Sequence, residues 1–429
     1  MNRRNFIKSS SALAAGMALP IIGKAAAIAP ASDTLNIALI GCGGMGRGDA
    51  MDIMRNPGVR CVAVCDVCKG PLEAAVAEIT KMQDKRPDTY SDYRKVLDRK
   101  DVDAVVIATP DHWHCRIFAD ACMAGKDIYC EKPAGNSIGE VEAMVAVAKK
   151  YNRVVQVGQQ QRSSRHFHEM IEYLRSGKLG RIGRIHVWAN FTYIVCQPPV
   201  ADTPAPDDID WDFWLGPAAY RPYNANLRSW RNHFSFGGGL ITDWGVHLLD
   251  MGLWAKDIKT PPLRTLSGGG KLLFPDRPND TFDTLSVTYQ FDDFIMTWEN
   301  SGGVTTAPYG KEYGFLYQGE NGLLVADRDS WTVYPEKGKA LEITVKGNND
   351  EAHRLHTANF YECVKSRNTN TACTIENGAL CATYAHLGNI AMRLGGGSLT
   401  YNAQTHTFDR AEAAKYFRPE YRSPWQFPQ

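Results

Sequence analysis

Three glycines and one acidic residue stand at spacings that suit the binding of phosphates and sugar hydroxyls. Gly41, Gly43 and Gly46 follow an apolar, β-branched run, and Asp66 ends the next such run, about twenty residues later. A tight glycine turn that opens a helix gathers free backbone N–H groups at the positive end of the helix dipole, where a pyrophosphate can bind. A carboxylate at Asp66 accepts hydrogen bonds from ribose and repels a 2′-phosphate, which favours NAD over NADP. The alternative is an ordinary βαβ turn with a surface aspartate.

A second set of polar residues follows the three glycines at 237–239. Asp243, His247 and Asp250 are spaced i, i+4 and i+7, so on a helix they share one face. An aspartate beside a histidine can hold the imidazole ring and tune its basicity, which suits proton transfer. The same residues could bind a metal or form a buried, hydrogen-bonded helix start; we expect no metal.

Apolar runs alternate with helical patterns along the chain, and these patterns predict the strands and helices that must position the candidate residues. Residues 34–153 predict a doubly wound α/β domain with a parallel sheet, a Rossmann-type nucleotide-binding domain. Ligands bind at the carboxyl ends of the strands in such a sheet. We therefore expect the segments that follow its strands to face a nucleotide. Together with the glycine turn, these segments contribute Gly44, Met45, Thr109, Pro110, His112, His114, Glu131, Lys132 and Gln160.

The rest of the chain is rich in alternating strands. It predicts an α+β C-terminal domain with a large, mainly antiparallel open sheet. Arg162, Trp230 and Arg231 are predicted to bind the substrate, and Trp113, Trp188 and Trp230 could each stack on a sugar or belong to the core. The predicted divisions are a signal and linker (1–32), the nucleotide domain (33–158), the α+β domain (159–350), helices that pack back on the nucleotide domain (351–395) and a tail (396–429).

Composition excludes several classes of function. The formal net charge of the 429 residues is +1, so no polyanion or nucleic-acid partner is implied. The 11 cysteines show no regular spacing, which indicates buried thiols instead of a disulfide framework. Cys65 and Cys68 lack a second pair and are not expected to bind zinc.

The N-terminus resembles a twin-arginine export signal. Arg3-Arg4-x-Phe6-x-Lys8 matches the core of that signal, and a mildly apolar stretch follows. This apolar stretch is too short and too rich in glycine to span a membrane stably. We therefore expect no stable membrane span after the signal is cleaved. Such signals serve proteins that fold before export, so the export machinery for folded proteins is an expected partner and the periplasm the expected location.

The ordered motifs GxGxxG, ATPDHWH, AGK, EKP and GGGxxxDxGxH resemble those of the Gfo/Idh/MocA oxidoreductases, which include inositol dehydrogenases and glucose–fructose oxidoreductase. The resemblance covers nearly all of the chain after the signal. It implies that Lys132 lies beside the nicotinamide and the substrate hydroxyl, that His247 is the general base, and that Asp243 is a substrate ligand or proton-relay partner. It also implies a homodimer or homotetramer with contacts through the open sheet.

These features together imply an exported, NAD-dependent oxidoreductase that acts on a hydroxyl of a sugar, glycoside or polyol by hydride transfer. Its expected partner is a small-molecule carbohydrate, and its NAD is expected to be tightly bound because the periplasm lacks a free NAD pool. One alternative is an NAD-retaining glycoside hydrolase that uses transient oxidation, elimination and re-reduction. Another is a non-catalytic sugar-binding protein, against which the intact set of motif residues argues.

Overall fold

In the computed structural model, which describes residues 34–336 and 343–428, six parallel strands form the first sheet. The order of strands in this sheet is β3-β2-β1-β4-β5-β6. Along the chain the elements are β1 (Leu35–Ile40), α1 (Gly44–Met54), β2 (Val59–Cys65), α2 (Lys69–Gln83), β3 (Asp88–Tyr90), α3 (Tyr93–Leu97), β4 (Ala104–Ile107), α4 (Asp111–Met123), β5 (Asp127–Cys130), α5 (Ile138–Tyr151) and β6 (Val155–Val157). The strand order reverses between β1 and β4, which creates a switch point where nucleotides bind in such folds. The predicted doubly wound sheet is confirmed.

One prediction in this region is wrong in detail. The sequence pattern predicts a loop over 109–114 after the strand, but α4 already begins at Asp111 after Pro110. Proline suits a helix start because it lacks the N–H that would go unpaired there, and Asp111 complements the helix dipole in the first turn. His112 and His114 therefore lie on the first turn of a helix.

The second half of the chain builds a nine-stranded sheet ordered β14-β13-β12-β11-β7-β10-β9-β8-β15. All neighbours are antiparallel except β7 and β10, so the predicted sheet type is confirmed. The elements are α6 (Arg165–Arg175), β7 (Ile182–Ala189), α7 (Trp211–Leu215), α8 (Val246–Ala255), β8 (Arg264–Gly270), β9 (Thr284–Gln290), β10 (Ile295–Ser301), β11 (Tyr313–Gly319), β12 (Gly322–Ala326), β13 (Ser330–Pro335), β14 (Ile343–Lys346), α9 (Asn349–Ser366), α10 (Ile375–Arg393) and β15 (Gly397–Leu399), followed by a small hairpin of β16 (Tyr401–Asn402) and β17 (Thr407–Phe408).

Several boundaries differ from the sequence-based expectation. Alternation over residues 185–193 predicts one long strand, but β7 ends at Ala189; the Asn190 side chain accepts from Ser301 N at 2.8 Å, and the chain then leaves the sheet. The glycine-rich β8 was not predicted, since glycine has low strand propensity. The sequence also predicts a strand over residues 341–345; its first two residues lie outside the described residues, as does the export signal. In the described part of the chain, no helix has both the length and the apolar character that crossing a membrane requires.

Helices α9 and α10 join the two sheets. Phe360, Cys363 and Val364 of α9 pack into the apolar cluster around β1. From α10, Ala379 and Ala382 pack with the parallel sheet, and Cys381 and Tyr384 with the nine-stranded sheet. This shared packing fixes the position of the strand ends of the first sheet relative to α8. All eleven cysteines are buried free thiols, as the sequence predicted.

A partly buried histidine of α9 forms ion pairs with α1 and makes stability depend on pH. His353 Nδ1 lies 2.7 Å from Asp52 Oδ2, and Nε2 lies 3.1 Å from Asp49 Oδ1. Burial alone would lower the pKa of His353, but the two carboxylates outweigh it and raise the pKa from 6.5 to about 10. The stabilisation is therefore fully present below the unfolded pKa of 6.5 and is lost as pH rises through about 10.

We expect His353→Gln to lower the free energy of unfolding by a few kcal/mol at about pH 6, and by much less at about pH 11. Urea titrations of both proteins at the two pH values measure this difference. A deficit of equal size at both pH values would contradict the charge assignment. His168→Gln, on the outer side of α6, serves as the control and should leave the pH dependence unchanged.

Candidate active site

The glycine turn leaves an open cradle at the switch point. Gly41 has φ +94°, and a Cβ there would lie 2.5 Å from the carbonyl carbon of Ala108. A Cβ on Gly46 would lie 2.2 Å from Gly41 O, whereas Gly43 and Gly44 have no atom within 4 Å of such a position. Among the described residues, no side chain forms a capping hydrogen bond with the first turn of α1. Its N–H groups are therefore free to bind a pyrophosphate, and the chain here fits a dinucleotide.

Asp66 lies at the far end of the same cavity, which measures about 300 Å³. Its carboxylate accepts from Cys42 N at 2.7 Å and from Cys68 N at 2.8 Å, so backbone groups fix its orientation. Burial raises the pKa of Asp66. The remaining lone pairs of the two oxygens suit ribose hydroxyls, which donate hydrogen bonds. Arg228 also lines this end of the cavity.

Residues 207–231, which we call the cleft strap, cover the cavity from the other side. The strap is fastened next to Asp66, where Lys69 N donates to Asp208 O at 2.9 Å and Asp210 N donates to Val67 O at 3.0 Å. Its remaining residues supply much of the opposite wall, namely Phe213, Trp214, Arg228, Trp230 and Arg231. A dinucleotide in the cavity would lie between the parallel sheet and the strap.

The contact of Lys132 with Asp243 joins the half of the molecule that contains the parallel sheet to the half that contains the nine-stranded sheet. Lys132 Nζ donates to Asp243 Oδ1 at 2.7 Å and to Asp243 O at 3.0 Å. Arg231 Nε lies 3.0 Å from the same Oδ1, and Tyr193 OH donates to Oδ2 at 2.5 Å. Burial would raise the pKa of Asp243, but Lys132 and Arg231 hold it far below its ordinary value. The site therefore contains an ionised carboxylate that binds two cations and a phenol.

The expected common face of Asp243, His247 and Asp250 does not form. Residues Ile241–Gly245 adopt a π-helical turn before α8, and this turn changes the direction in which Asp243 points relative to the α-helical residues that follow. Asp243 faces Lys132, His247 faces Gln161, and Asp250 faces Arg162. The sequence spacing could not reveal this turn.

His247 is buried and held by an amide. With the Gln161 amide assigned from its neighbours, its nitrogen donates to His247 Nδ1 at 2.9 Å and its oxygen accepts from Arg328 Nε and Nη2, both at 3.2 Å. Burial, together with Arg328 and Lys132, lowers the pKa of His247 well below its ordinary value. The ring is therefore neutral at neutral pH, and because Nδ1 accepts from Gln161 its one proton is on Nε2, which presents an N–H to a ligand.

Arg162 has a different partner from the one expected. Its Nε and Nη2 donate to Asp250 Oδ2 and Oδ1 at 2.7 and 2.8 Å, and the Asp250 side chain is fully buried. This bidentate pair occupies the edge of the guanidinium formed by Nε and Nη2, and the buried Asp250 carboxylate compensates the charge of Arg162. Arg162 therefore has a structural partner, and its role in binding a substrate stays a prediction.

The remaining cofactor candidates divide into two groups. His112 and His114 are buried and bonded to carbonyls: His112 Nε2 lies 3.1 Å from Trp214 O, and His114 Nδ1 lies 2.7 Å from Pro133 O. Burial lowers the pKa of both to about 4. By contrast, Thr109 Oγ1 and Gln160 Oε1 are buried with no hydrogen-bond partner in the described part of the chain, so they are free to meet a ligand.

The aromatic candidates and the acidic candidate Glu131 have different surroundings. Trp230 lines the cavity beneath Arg231, whose guanidinium lies 4.1 Å from its ring. Trp188 is a buried core residue, whereas Trp113 is buried and also lines the cavity; each has its indole N–H bonded to a carbonyl. Glu131 is buried beside Lys132, and burial raises its pKa to about 8.

Four further residues belong to the site but were given no individual role from the sequence, although Asp111 and Gln161 stand in strand-end segments that the sequence predicts to face the cofactor or the cleft. Asp111 is buried, its Oδ1 has no hydrogen-bond partner among the described residues, and burial raises its pKa well above the ordinary value. It stands within the TPDHWH motif, so its acidic side chain at a strand end was a usable signal. Tyr193, Gln161 and Arg328 reach the site from a strand exit, a short turn and a hairpin, and no spacing in the sequence indicates that they meet.

Comparison with known proteins yields three family models. A model described as an oxidoreductase family with an NAD-binding Rossmann fold matches residues 35–159. A model described as the C-terminal alpha/beta domain of an oxidoreductase family matches residues 181–265. A model of the TAT (twin-arginine translocation) pathway signal sequence matches residues 1–20, which lie outside the described residues.

Individual relatives are distant. Glycosyl hydrolase family 109 protein 1 of Shewanella sp. (strain ANA-3) is 26% identical over 203 residues, which cover 42% of this chain and 44% of that protein. The match thus spans less than half the length of the relative. Levoglucosan dehydrogenase in complex with NADH and levoglucosan has a TM-score of 0.63 at 20% identity, over 83% of this chain and 96% of that chain. Myo-inositol 2-dehydrogenase from Lactobacillus plantarum has a TM-score of 0.64 at 20% identity, over 86% and 100%. These two likenesses establish a shared fold.

Proposed function

Since the chain belongs to the Gfo/Idh/MocA oxidoreductase family, we propose that it oxidises a hydroxyl group of a sugar, glycoside or polyol with NAD. The observation that carries this proposal is the contact of Lys132 with Asp243. This contact joins the carboxyl end of β5 to the start of α8, beside a cavity that fits a dinucleotide. Hydride transfer needs such a site, where a reacting hydroxyl can lie between polar groups and the nucleotide.

We propose NAD over NADP, and tight retention of it. Gly43 and Gly44 would hold the pyrophosphate, Asp66 the ribose, and Thr109 and Gln160 the nicotinamide end. The preference for NAD is supported by the fixed carboxylate of Asp66, which would repel a 2′-phosphate. Retention is supported by the cleft strap, since the strap would have to open before a nucleotide could leave.

The bound nicotinamide supplies a hydride acceptor, and the side chains handle the proton. Lys132 stabilises negative charge that develops on the substrate oxygen, while Asp243 holds Lys132 and Tyr193 in place. His247 Nε2 accepts the hydroxyl proton. In the arrangement with Gln161 donating to Nδ1, the ring carries its proton on Nε2. For His247 to act as the base, this proton must first move to Nδ1 and the Gln161 amide must reverse, giving up its contact with Arg328 during that step.

The cell location, domain divisions and assembly are also proposals. The TAT signal supports export to the periplasm after a signal and linker of residues 1–32. The proposed divisions after it are 33–158, 159–350, 351–395 and 396–429. The open face of the nine-stranded sheet exposes Leu266, Ile295 and Tyr334, and we propose that it forms a homodimer or homotetramer contact.

A second function deserves a test, an NAD-retaining glycoside hydrolase that oxidises a sugar carbon, eliminates the aglycone, adds water and re-reduces the product. It is favoured by the glycosyl hydrolase family name of the Shewanella relative. A covered cofactor cavity suits this cycle as well, because the same NAD must be reduced and reoxidised without leaving.

The test begins with protein purified without added nucleotide. We expect denaturation to release about one NAD per chain, and we expect a free sugar or polyol to reduce the bound NAD in the native protein. Release of nitrophenol from nitrophenyl glycosides would favour the hydrolase, and an empty protein that reduces added NAD would contradict retention. Protein that neither contains nor reduces NAD would overturn the oxidoreductase.

Two matched glycine variants control this experiment. Gly46→Ala places a Cβ 2.2 Å from Gly41 O and should yield folded protein without NAD. Gly48→Ala, two residues further along α1, meets no described atom within 4 Å and should keep its NAD. Equal NAD content in the two variants would show that the nucleotide does not bind at the glycine turn.

A further inference from the structure

Arg328 reaches the proposed reaction site from the turn between β12 and β13. Its guanidinium lies 4.4 Å from the ring of Trp244, on which it stacks. Its Nε and Nη2 both donate to the Gln161 oxygen, and Gln161 in turn contacts His247. Arg328 therefore stands one side chain away from the proposed proton acceptor.

This guanidinium has a free edge and lacks a counter-ion. Over residues 34–336 and 343–428, no carboxylate lies within ion-pair distance of Arg328. The adjacent Asp327 is turned to Lys311 and to the backbone N–H groups of Asp329 and Ser330. Gln161 uses the edge formed by Nε and Nη2, which leaves the edge formed by Nη1 and Nη2. That edge can bind a carboxylate with two parallel hydrogen bonds, as the edge formed by Nε and Nη2 of Arg162 does with Asp250.

The charges around the site add to a positive total. Lys132, Arg231 and Arg328 are cations, and Asp243 is ionised. The two other nearby acids do not compensate, because burial raises the pKa of Glu131 to about 8 and that of Asp111 well above its ordinary value. A partly buried cation without a partner is costly to maintain. The site is thus suited to an anion that arrives with the ligand.

We propose that Arg328 binds an anionic group of the substrate, so that the enzyme acts on acidic sugars, with hexuronates as the chemical class that fits best. A planar carboxylate matches the free edge of the guanidinium, and the sugar ring beside it would bring its secondary hydroxyls toward Lys132 and His247. A sulfate ester offers the same pair of oxygens and is distinguished by experiment. This inference rests on the proposed function for the reaction, but binding can be tested without turnover.

The test measures binding to the NAD-loaded protein by calorimetry. The ligands are D-glucuronate and D-galacturonate, the parent hexoses, and glucose 6-sulfate. We expect each uronate to bind about 10-fold or more tightly than its parent hexose, and glucose 6-sulfate to bind less well than the uronates. Tighter binding of the sulfate would overturn the carboxylate assignment. Equal binding of uronate and hexose, or binding of neither, would overturn the proposal.

Variants of Arg328 test whether this residue causes the preference for uronate over hexose. Arg328→Gln should remove the preference for uronate over hexose, and Arg328→Lys should keep part of it, because an ammonium retains the charge but loses the paired geometry. Arg264→Gln, at an exposed arginine on β8, should keep the full preference. A preference that survives in Arg328→Gln would assign the anion to another residue and overturn the proposal.

The outcomes separate this inference from the oxidoreductase itself. Turnover of neutral sugars with no uronate preference would contradict the role of Arg328 and leave the oxidoreductase standing. Uronate binding that depends on Arg328, in a protein that never reduces its NAD with any sugar, would support the subsite and contradict the proposed reaction. Arg328 also contacts Gln161, which in turn contacts His247, so a variant of Arg328 would change kcat even if Arg328 did not bind the substrate. For this reason the test compares binding constants and not turnover rates.

Discussion

Lys132→Met is expected to lower kcat by about 10³-fold while the protein keeps its NAD. The Lys132 ammonium is the cation nearest to where we place the reacting oxygen, and methionine has a similar length but no charge. Asp243 keeps Arg231 and Tyr193 as partners, so the site should not collapse. Single-turnover reduction of the bound NAD, followed by absorbance, measures the loss directly.

The control for this variant is Lys150→Met, at an exposed lysine on α5. Both proteins should release the same amount of NAD on denaturation. The loss of one neighbouring cation should also raise the pKa of Asp243 toward its ordinary value, so activity of Lys132→Met should fall further in acid than that of the parent protein. Unchanged turnover in Lys132→Met would remove Lys132 from the proposed reaction.

The nucleotide half of the molecule could be predicted from the sequence because its signals are local. The run Leu35–Ile40, the glycine turn and the start of α1 follow one another without a gap. Only glycine fits at Gly41, where φ is positive and the backbone of Ala108 is close. Strand ends in a parallel sheet share one edge, so the placement of Thr109 and Lys132 near that edge follows from the pattern alone.

The substrate side could not be predicted in the same way, because it depends on contacts between distant segments. The π-helical turn at Ile241–Gly245 is invisible to spacing arguments, and it separates Asp243 from His247. Tyr193 reaches Asp243 only because β7 ends at Ala189. Arg328 sits between two aspartates in a hairpin, where the sequence indicates a solvent-exposed turn, yet its guanidinium packs on Trp244.

Arg162 illustrates the same limit, and its pairing with Asp250 leads to a large expected effect on stability. We expect Arg162→Met to lower the free energy of unfolding by about 3–5 kcal/mol, because it leaves the fully buried Asp250 carboxylate without its cation. Asp250→Leu should lower the free energy of unfolding by a similar amount, because it leaves the Arg162 guanidinium without its anion. Urea titrations followed by fluorescence measure both changes.

The double variant Arg162→Met/Asp250→Leu distinguishes a structural pair from a substrate ligand. If the pair is structural, two apolar side chains of similar volume should restore most of the lost stability, and KM for the sugar should match that of the parent protein. Arg181→Met, which breaks an exposed pair with Glu320, is the control and should not measurably change stability. A double variant that is stable but has a greatly raised KM would return Arg162 to the substrate site, despite its bidentate contact with Asp250.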